Sequence, residues 1–340
     1  MPAHFFFIIV LSMATTQCLT GLQAGDRREL PLTCPESCYC PPDHPVVLHC
    51  DARSLNLLPT IPTRIWYAYL QSNKMTTMPA SHLANASRII LLQLDSNRIK
   101  RIPRSTLSKQ TNLITLSLRN NLLNEVPIGL PSSLQELHLS GNLISRVRRT
   151  SFQRLSNLRT LDLSHNRMEG HGGHAKAYEA LSSLSSLDLS HNILSETPRK
   201  IPPGLKKLSL AGNNLTTLPV ELLPSLPSLR YLSVAQNSLH EDTCTPWKLD
   251  GESLLHVDLS ENDLTRVPKF RSTLIRLLLQ KNHVKEVNTT VVCQMLDGQP
   301  ARLSFLRLDG NPVLDARFEP GRGIMARSLA LCFPYLRPII

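Results

Sequence analysis

Four of the eight cysteines, Cys34, Cys38, Cys40 and Cys50, crowd into "CPESCYCPPDHPVVLHC" with the spacing C-x3-C-x-C-x9-C. Sulfur at that density does one of two chemistries: four thiolates hold a metal ion, or two disulfides close a small knot. The compartment decides between them. Near the N-terminus "FFFIIVLSMA" is followed by small and polar residues and then by charge in "GDRREL". That apolar run is far short of the roughly 20 residues a bilayer needs and has the form of a secretory leader. Export places the cysteines in an oxidising compartment, and the paired CxxC spacing of a tetrahedral zinc site is absent. Two disulfides are therefore expected among the four, with all three pairings left open by the spacing.

Other candidate chemistry is thin. The "HGGH" stretch, His171 and His174, with His165 nearby, lacks a third fixed ligand or a carboxylate base and reads as a solvated loop rather than a metal site. No nucleophile elbow, phosphate loop or paired-carboxylate motif occurs, so neither an enzyme nor a cofactor is expected. The net charge of +11 raises nucleic acid as a partner. Export and the lack of aromatic stacking motifs argue against it. No later stretch is apolar for long enough to span a membrane.

The elements that must position any site are written in a repeat. The pattern L-x-x-L-x-L-x-x-N fits eleven times, ending at Asn73, Asn97, Asn121, Asn142, Asn166, Asn192, Asn213, Asn237, Asn262, Asn282 and Asn311. The steps between these asparagines run from 20 to 29 residues, the range of leucine-rich repeats. Each L-x-L is a short strand with leucines to one side. One copy cannot bury its leucines alone, so the copies must stack into a common core with one long parallel sheet and an asparagine ladder at the turns. "IP", "VP" and "LP" pairs after several strands favour extended outer segments over long helices. The expected fold is an α/β leucine-rich-repeat solenoid with a curved parallel sheet on its concave face. A solenoid leaves an open core at each end, which explains the cysteine knot as an N-terminal lid. At the other end Cys293 and Cys332 flank the last repeat, and a bridge between them would contribute about 4 kcal/mol by loop closure.

With cap, repeats and end segment in place, the chain resembles the small leucine-rich proteoglycans, and within them class II. The resemblance rests on the cap spacing, the repeat lengths and the long penultimate "ear" repeat. It rests also on the stretches "IPTRIWYAYLQSN", "VNTTVVC", "FLRLDGN" and "CFPYLRPII". It covers essentially the whole mature chain. It implies a secreted extracellular-matrix protein that binds fibrillar collagen and regulates fibril diameter and spacing, on which corneal transparency rests, with N-glycans extendable to keratan sulfate. It also implies the pairings Cys34 with Cys40, Cys38 with Cys50 and Cys293 with Cys332. The chain departs from the family pattern in three places. Its N-terminal tail has no tyrosine to sulfate, Pro312 to Leu314 replace a charged triplet after "LDGN", and Cys244 is left odd, as a buried thiol or a link to another chain. The resulting organisation is a leader (1–24), a short tail (25–33), the cysteine cap (34–50), the repeats with their ear (51–332) and a C-terminal tail (333–340).

Residues flanking the strand leucines point to the concave face. Those expected to contact collagen are Tyr69, Arg119, Glu136, Asp162, Asp188, Lys207, Tyr231, Asp258 and Arg276. Six acids and four bases lie on this face, so the basic surplus must sit on the edges and outer side, in runs such as "RIKRIPR" and "RVRRT", where it suits sulfated glycans or acidic matrix. Sequons at Asn85, Asn214 and Asn288 fall past the strands and are expected to carry glycans. The alternative function is a concave face that binds and modulates a growth factor or cytokine. Other matrix proteins and a second copy of the chain are further candidate partners.

Overall fold

The computed structural model of the chain describes residues 34–174, 176–241, 248–285, 287 and 302–312. The expected leader and tail, Cys244, Asn288, Cys293, Cys332 and residues 333–340 lie outside the described residues. Sixteen short strands are described. They are β1 (Val47–His49), β2 (Tyr67–Tyr69), β3 (Leu91–Gln93), β4 (Thr115–Ser117), β5 (Glu136–His138), β6 (Thr160–Asp162), β7 (Glu169–Gly170) and β8 (Ser186–Asp188). There follow β9 (Ile193–Leu194), β10 (Lys207–Ser209), β11 (Tyr231–Ser233), β12 (Lys248–Leu249), β13 (His256–Asp258), β14 (Lys269–Phe270), β15 (Arg276–Leu278) and β16 (Phe305–Arg307). Twelve of them form one sheet in the order β1-β2-β3-β4-β5-β6-β8-β10-β11-β13-β15-β16. The remaining four make two small parallel pairs, β7 with β9 and β12 with β14.

Each L-x-L motif has become one strand of the long sheet, and the pairing is parallel throughout. The register brings Leu48, Ala68, Leu92, Leu116, Leu137, Leu161, Leu187, Leu208, Leu232, Val257, Leu277 and Leu306 into one line. All twelve are buried, and each buried leucine stabilises the stack by on the order of 1.5–3 kcal/mol. The proline-rich outer segments are turns and extended chain. Among the described residues the one named helical element is the 3-10 turn Ala80–Leu83.

The asparagine ladder runs unbroken from Asn73 to Asn311. Asn142 is representative. Its Nδ2 donates to the carbonyls of Leu118, Leu139 and Ser140, and its Oδ1 accepts the Leu123 N–H at 3.0 Å. One buried side chain thus satisfies backbone groups of two successive repeats, which would otherwise be buried without partners. The residue before each ladder asparagine has a positive φ in all eleven repeats, although glycine occupies only positions 141, 212 and 310. At the other eight, Ser72, Ser96, Asn120, His165, His191, Gln236, Glu261 and Lys281 adopt this left-handed geometry, and the ladder asparagine beside each fixes the turn that demands it.

The cap is part of the sheet rather than a lid laid on it. Cys34 is bonded to Cys40 and Cys38 to Cys50. Between them the chain turns so that Tyr39 pairs antiparallel with His49, while Val47, Leu48 and His49 pair in parallel with Tyr67, Ala68 and Tyr69. The edge of the first repeat is therefore covered by a strand whose own outer side is tied down by disulfides and a bridge, which blocks edge-to-edge pairing.

Candidate binding face

The side chains on either side of the buried leucine line point out of the sheet and make two columns. The first runs Tyr67, Leu91, Thr115, Glu136, Thr160, Ser186, Lys207, Tyr231, His256, Arg276 and Phe305; the second runs Tyr69, Gln93, Ser117, His138, Asp162, Asp188, Ser209, Ser233, Asp258, Leu278 and Arg307. At about 4.8 Å per strand, the face extends roughly 50 Å from β1 to β16. Eight of the nine residues expected to contact collagen stand in these columns, and the ninth, Arg119, lies two residues past β4 and reaches the second column through His138 and Asp162.

Arg119, Glu136 and Asp162 belong to one polar network centred on His138. Arg119 Nη2 lies 3.0 Å from His138 Nδ1. A guanidinium only donates, so Nδ1 is the acceptor and the imidazole is neutral with its proton on Nε2. That Nε2 faces Glu136 Oε2 at 3.8 Å. Arg119 Nε is also 3.5 Å from Asp162 Oδ2, and the Arg119 backbone N–H donates to Asp95 Oδ1 at 2.8 Å. Burial, and then the Arg119 charge, hold the His138 pKa below its ordinary value of 6.5; Asp162, Glu136 and Asp95 pull against them.

Asp162, Asp188 and Asp258 carry a second duty that the sequence did not disclose. Each Oδ1 accepts both the backbone N–H and the hydroxyl of the serine two residues on, Ser164, Ser190 and Ser260, with hydroxyl contacts of 2.6 to 2.7 Å. This is an Asx-type turn closure. It fixes the chain where it leaves the strand and leaves only Oδ2 of each carboxylate to face a ligand. Asp162 and Asp188 are in register on adjacent strands, so they do form one column.

Aromatic side chains mark both ends. Tyr39, His49 and Tyr69 stack in sequence, with ring centroids 6.4 and 5.1 Å apart. Toward the other end Tyr231 stacks on His256 at 4.7 Å and Arg276 sits 4.7 Å over the Phe305 ring, a cation–π contact. Burial and the Arg276 charge lower the His256 pKa. Beyond them Arg307 grips Asp309 through two nitrogens, at 2.6 and 3.2 Å. Tyr69 thus lies far from Tyr231, Asp258 and Arg276, and the nine residues line a strip rather than a pocket. Lys207, exposed between Ser186 and Tyr231 in the first column, joins the middle to the aromatic end. Tyr39 and His49 were missed as face residues; the alternation in "VVLH" was the available signal that this part of the cap is a strand.

Asn85 and Asn214 are both exposed and lie outside every strand. Asn214 leaves its ladder neighbour Asn213 at a backbone bond from its N–H to the Leu194 carbonyl, 2.8 Å. In the "HGGH" region Tyr178 donates to the Gly172 carbonyl at 3.1 Å. His165 instead stacks on His191 of the next repeat at 4.3 Å. The following position in that column is Gly212, whose absent Cβ would lie 2.5 Å from His191 Nδ1, so only glycine leaves room for the ring. Among the described residues no three His, Cys, Asp or Glu side chains gather as metal ligands would. Nor is any described helix long and apolar enough to cross a membrane.

A family profile described as "Leucine rich repeat" matches residues 132–194, and another described as "Leucine Rich Repeat" matches residues 204–226. Keratocan of Homo sapiens is 33% identical over 318 residues, covering 90% of this chain and 88% of that protein. Keratocan of Gallus gallus is 34% identical over the same length and coverage. Prolargin of Rattus norvegicus is 39% identical over 289 residues, 82% of this chain and 76% of that protein. Among solved structures, an LRR protein of Leptospira interrogans superposes with a TM-score of 0.52 at 22% identity, over 83% of this chain and 81% of that one. At that identity the likeness speaks to the repeat fold alone.

Proposed function

Because the chain belongs to the small leucine-rich proteoglycan family, we propose that it is a secreted extracellular-matrix glycoprotein whose sheet face binds fibrillar collagen and limits the lateral growth of fibrils. The observation that carries this reading is the face itself: a strip of about twelve strands on which charges of both signs, hydroxyls and terminal aromatics stand in unbroken register. A collagen triple helix is a rod that displays charges of both signs along its length, and an extended repeat surface suits such a partner better than a pocket would. The sequons support a spacer role. Asn85 and Asn214 leave the strand face clear, so glycans on them extend away from a bound fibril, and keratan sulfate on those chains would fill the space between fibrils. A role in the cornea follows the same line from the keratocan relatives.

The test is collagen I fibril formation followed by turbidity, with and without the purified secreted chain, and fibril diameters measured by electron microscopy. A longer lag and thinner fibrils are expected. Unchanged lag, plateau and diameter would remove collagen from the reading and leave the face for a growth factor or cytokine. Keratanase treatment of tissue-derived protein should increase its gel mobility if the glycans are sulfated polymers.

A further inference from the structure

The positive charge of this chain is concentrated in one part of it. Residues 98–159 hold eleven Lys and Arg against Glu125 and Glu136, a net +9 of the whole chain's +11. All eleven of those bases stand outside the strands, and Arg119 is set apart from the others by its contacts with His138 and Asp162 on the sheet face. Among the described residues only one of these outer bases is in an ion pair, Arg148 with Glu125 at 2.8 Å. Like charges held this close repel one another, and a fold that keeps them unneutralised has a field suited to a polyanion.

The same region is not flat. The repeat ending at Asn142 is 21 residues long and stands between two of 24, so its outer segment is the shortest of the three and leaves a notch. A cavity of about 220 Å³ lies there, walled by Arg104 from the repeat before and Arg154 from the repeat after, with Gly129 and Leu130 in the short coil between and Thr150 and Ser151 at one side. A second cavity of about 110 Å³ adjoins it, sharing Arg104 and Ile128 and adding Lys100 and Arg101. Gly129 makes the notch possible. It has φ +76, and a Cβ there would come within 2.5 Å of the Arg104 carbonyl and 2.8 Å of its Cγ. Any side chain would push the Arg104 stem out of the groove. No strand residue lines either cavity, so the groove is separate from the proposed collagen face.

We propose that this groove binds a sulfated glycosaminoglycan chain. Arginine forks on both walls present paired donors to sulfate oxygens, and the Thr150 hydroxyl is a further donor. The cavities are too small for a folded partner but admit single anionic groups. The basic residues continue past them along two repeats through Arg98, Lys109, Arg146 and Arg149, all exposed, as a linear polyanion requires. Sulfate is favoured over nucleic-acid phosphate because no aromatic side chain lines the groove to stack a base.

The experiment uses the secreted full-length chain over immobilised heparin in about 0.15 M NaCl. Desulfated heparin, hyaluronan and duplex DNA serve as comparison ligands. The groove variant is Arg101→Gln/Arg104→Gln/Arg154→Gln. The control, Lys74→Gln/Lys206→Gln/Arg266→Gln, removes the same charge from exposed positions elsewhere. Losing the arginine forks should weaken heparin binding at least about tenfold, whereas the control should stay within about twofold. Thermal melting checks that both variants are folded, and Arg154→Gln alone replaces the triple variant if that one is not secreted. The proposal is overturned if the native chain does not bind heparin, if the control loses as much as the groove variant, or if desulfated heparin or DNA binds as tightly as heparin. The collagen turbidity assay on the groove variant keeps the two faces apart. Its response should match that of the native chain, whichever way that assay turns out.

Discussion

Asp162 tests whether a face carboxylate serves the fold, the ligand or both. Its Oδ1 holds the Ser164 N–H at 3.1 Å and the Ser164 hydroxyl at 2.7 Å, and Ser164 is only 7% exposed. Its Oδ2 faces Arg119 Nε at 3.5 Å, with the Asp162 side chain 17% and the Arg119 side chain 43% exposed. Asp162→Ala leaves the buried Ser164 N–H and hydroxyl without their acceptor, which costs roughly 1–3 kcal/mol. It also removes the pair with Arg119, worth less than about 1 kcal/mol once solvent screens so open a partner. Asp162→Asn keeps an oxygen at the Oδ1 position and loses only charge, so its cost should stay below about 1 kcal/mol. Urea denaturation followed by far-UV circular dichroism separates the two: Ala should unfold well before Asn. Collagen affinity reads the other duty, since Asn removes the charge offered to a ligand and should weaken binding while leaving stability close to native. Equal destabilisation by Ala and Asn would refute the turn-closing role. Unchanged collagen affinity in Asp162→Asn would remove this column from the contact.

Four other expectations concern pH, the ladder, the disulfides and the glycans. Burial and Arg119 depress the His138 pKa below 6.5 in the folded chain; the unfolded chain therefore binds the proton more readily as pH falls. The stability this neutral ring contributes is complete above about pH 6.5 and is lost as pH falls through the folded pKa. Melting temperatures from pH 7.5 to 5 should drop in the native chain, and less steeply in His138→Gln. Asn142→Ala removes the acceptor of the buried Leu123 N–H and the donors to Leu118 and Leu139, and should cost about 2–5 kcal/mol. A loss under about 1 kcal/mol in chemical denaturation would contradict the ladder's role. Non-reducing peptide mapping should recover Cys34 with Cys40, Cys38 with Cys50 and Cys293 with Cys332, and glycosidase release should convert Asn85 and Asn214 to Asp; a link from Cys244 to any cap cysteine would overturn the pairing.

What the sequence settled by itself is whatever eleven copies state together. A leucine at one position in one repeat says little, but the same position apolar every 20 to 29 residues forces one buried line, one parallel register and one ladder, because no single coil can bury its own leucines. The strand limits, the open-face columns and the exposure of Asn85 and Asn214 could all be read from that period. What a residue does across the gap to the next coil was not legible, since its neighbours there are some two dozen residues away and their rotamers depend on the whole stack. The spacing left three pairings for the cap cysteines and the family resemblance implied one of them; the structure has that one, Cys34 with Cys40 and Cys38 with Cys50, in a cap whose chain returns as β1 beside β2. It offered Asp162, Asp188 and Asp258 as free charges, whereas the turn after each strand places a serine N–H and hydroxyl on Oδ1. It placed His165 beside "HGGH", but the stacking puts that ring on His191, in a column cleared by Gly212. Basic runs were visible in the one-letter string, yet a groove between Arg104 and Arg154 exists only because a 21-residue coil is stacked between two longer ones, and depth is a property of the stack rather than of any one repeat.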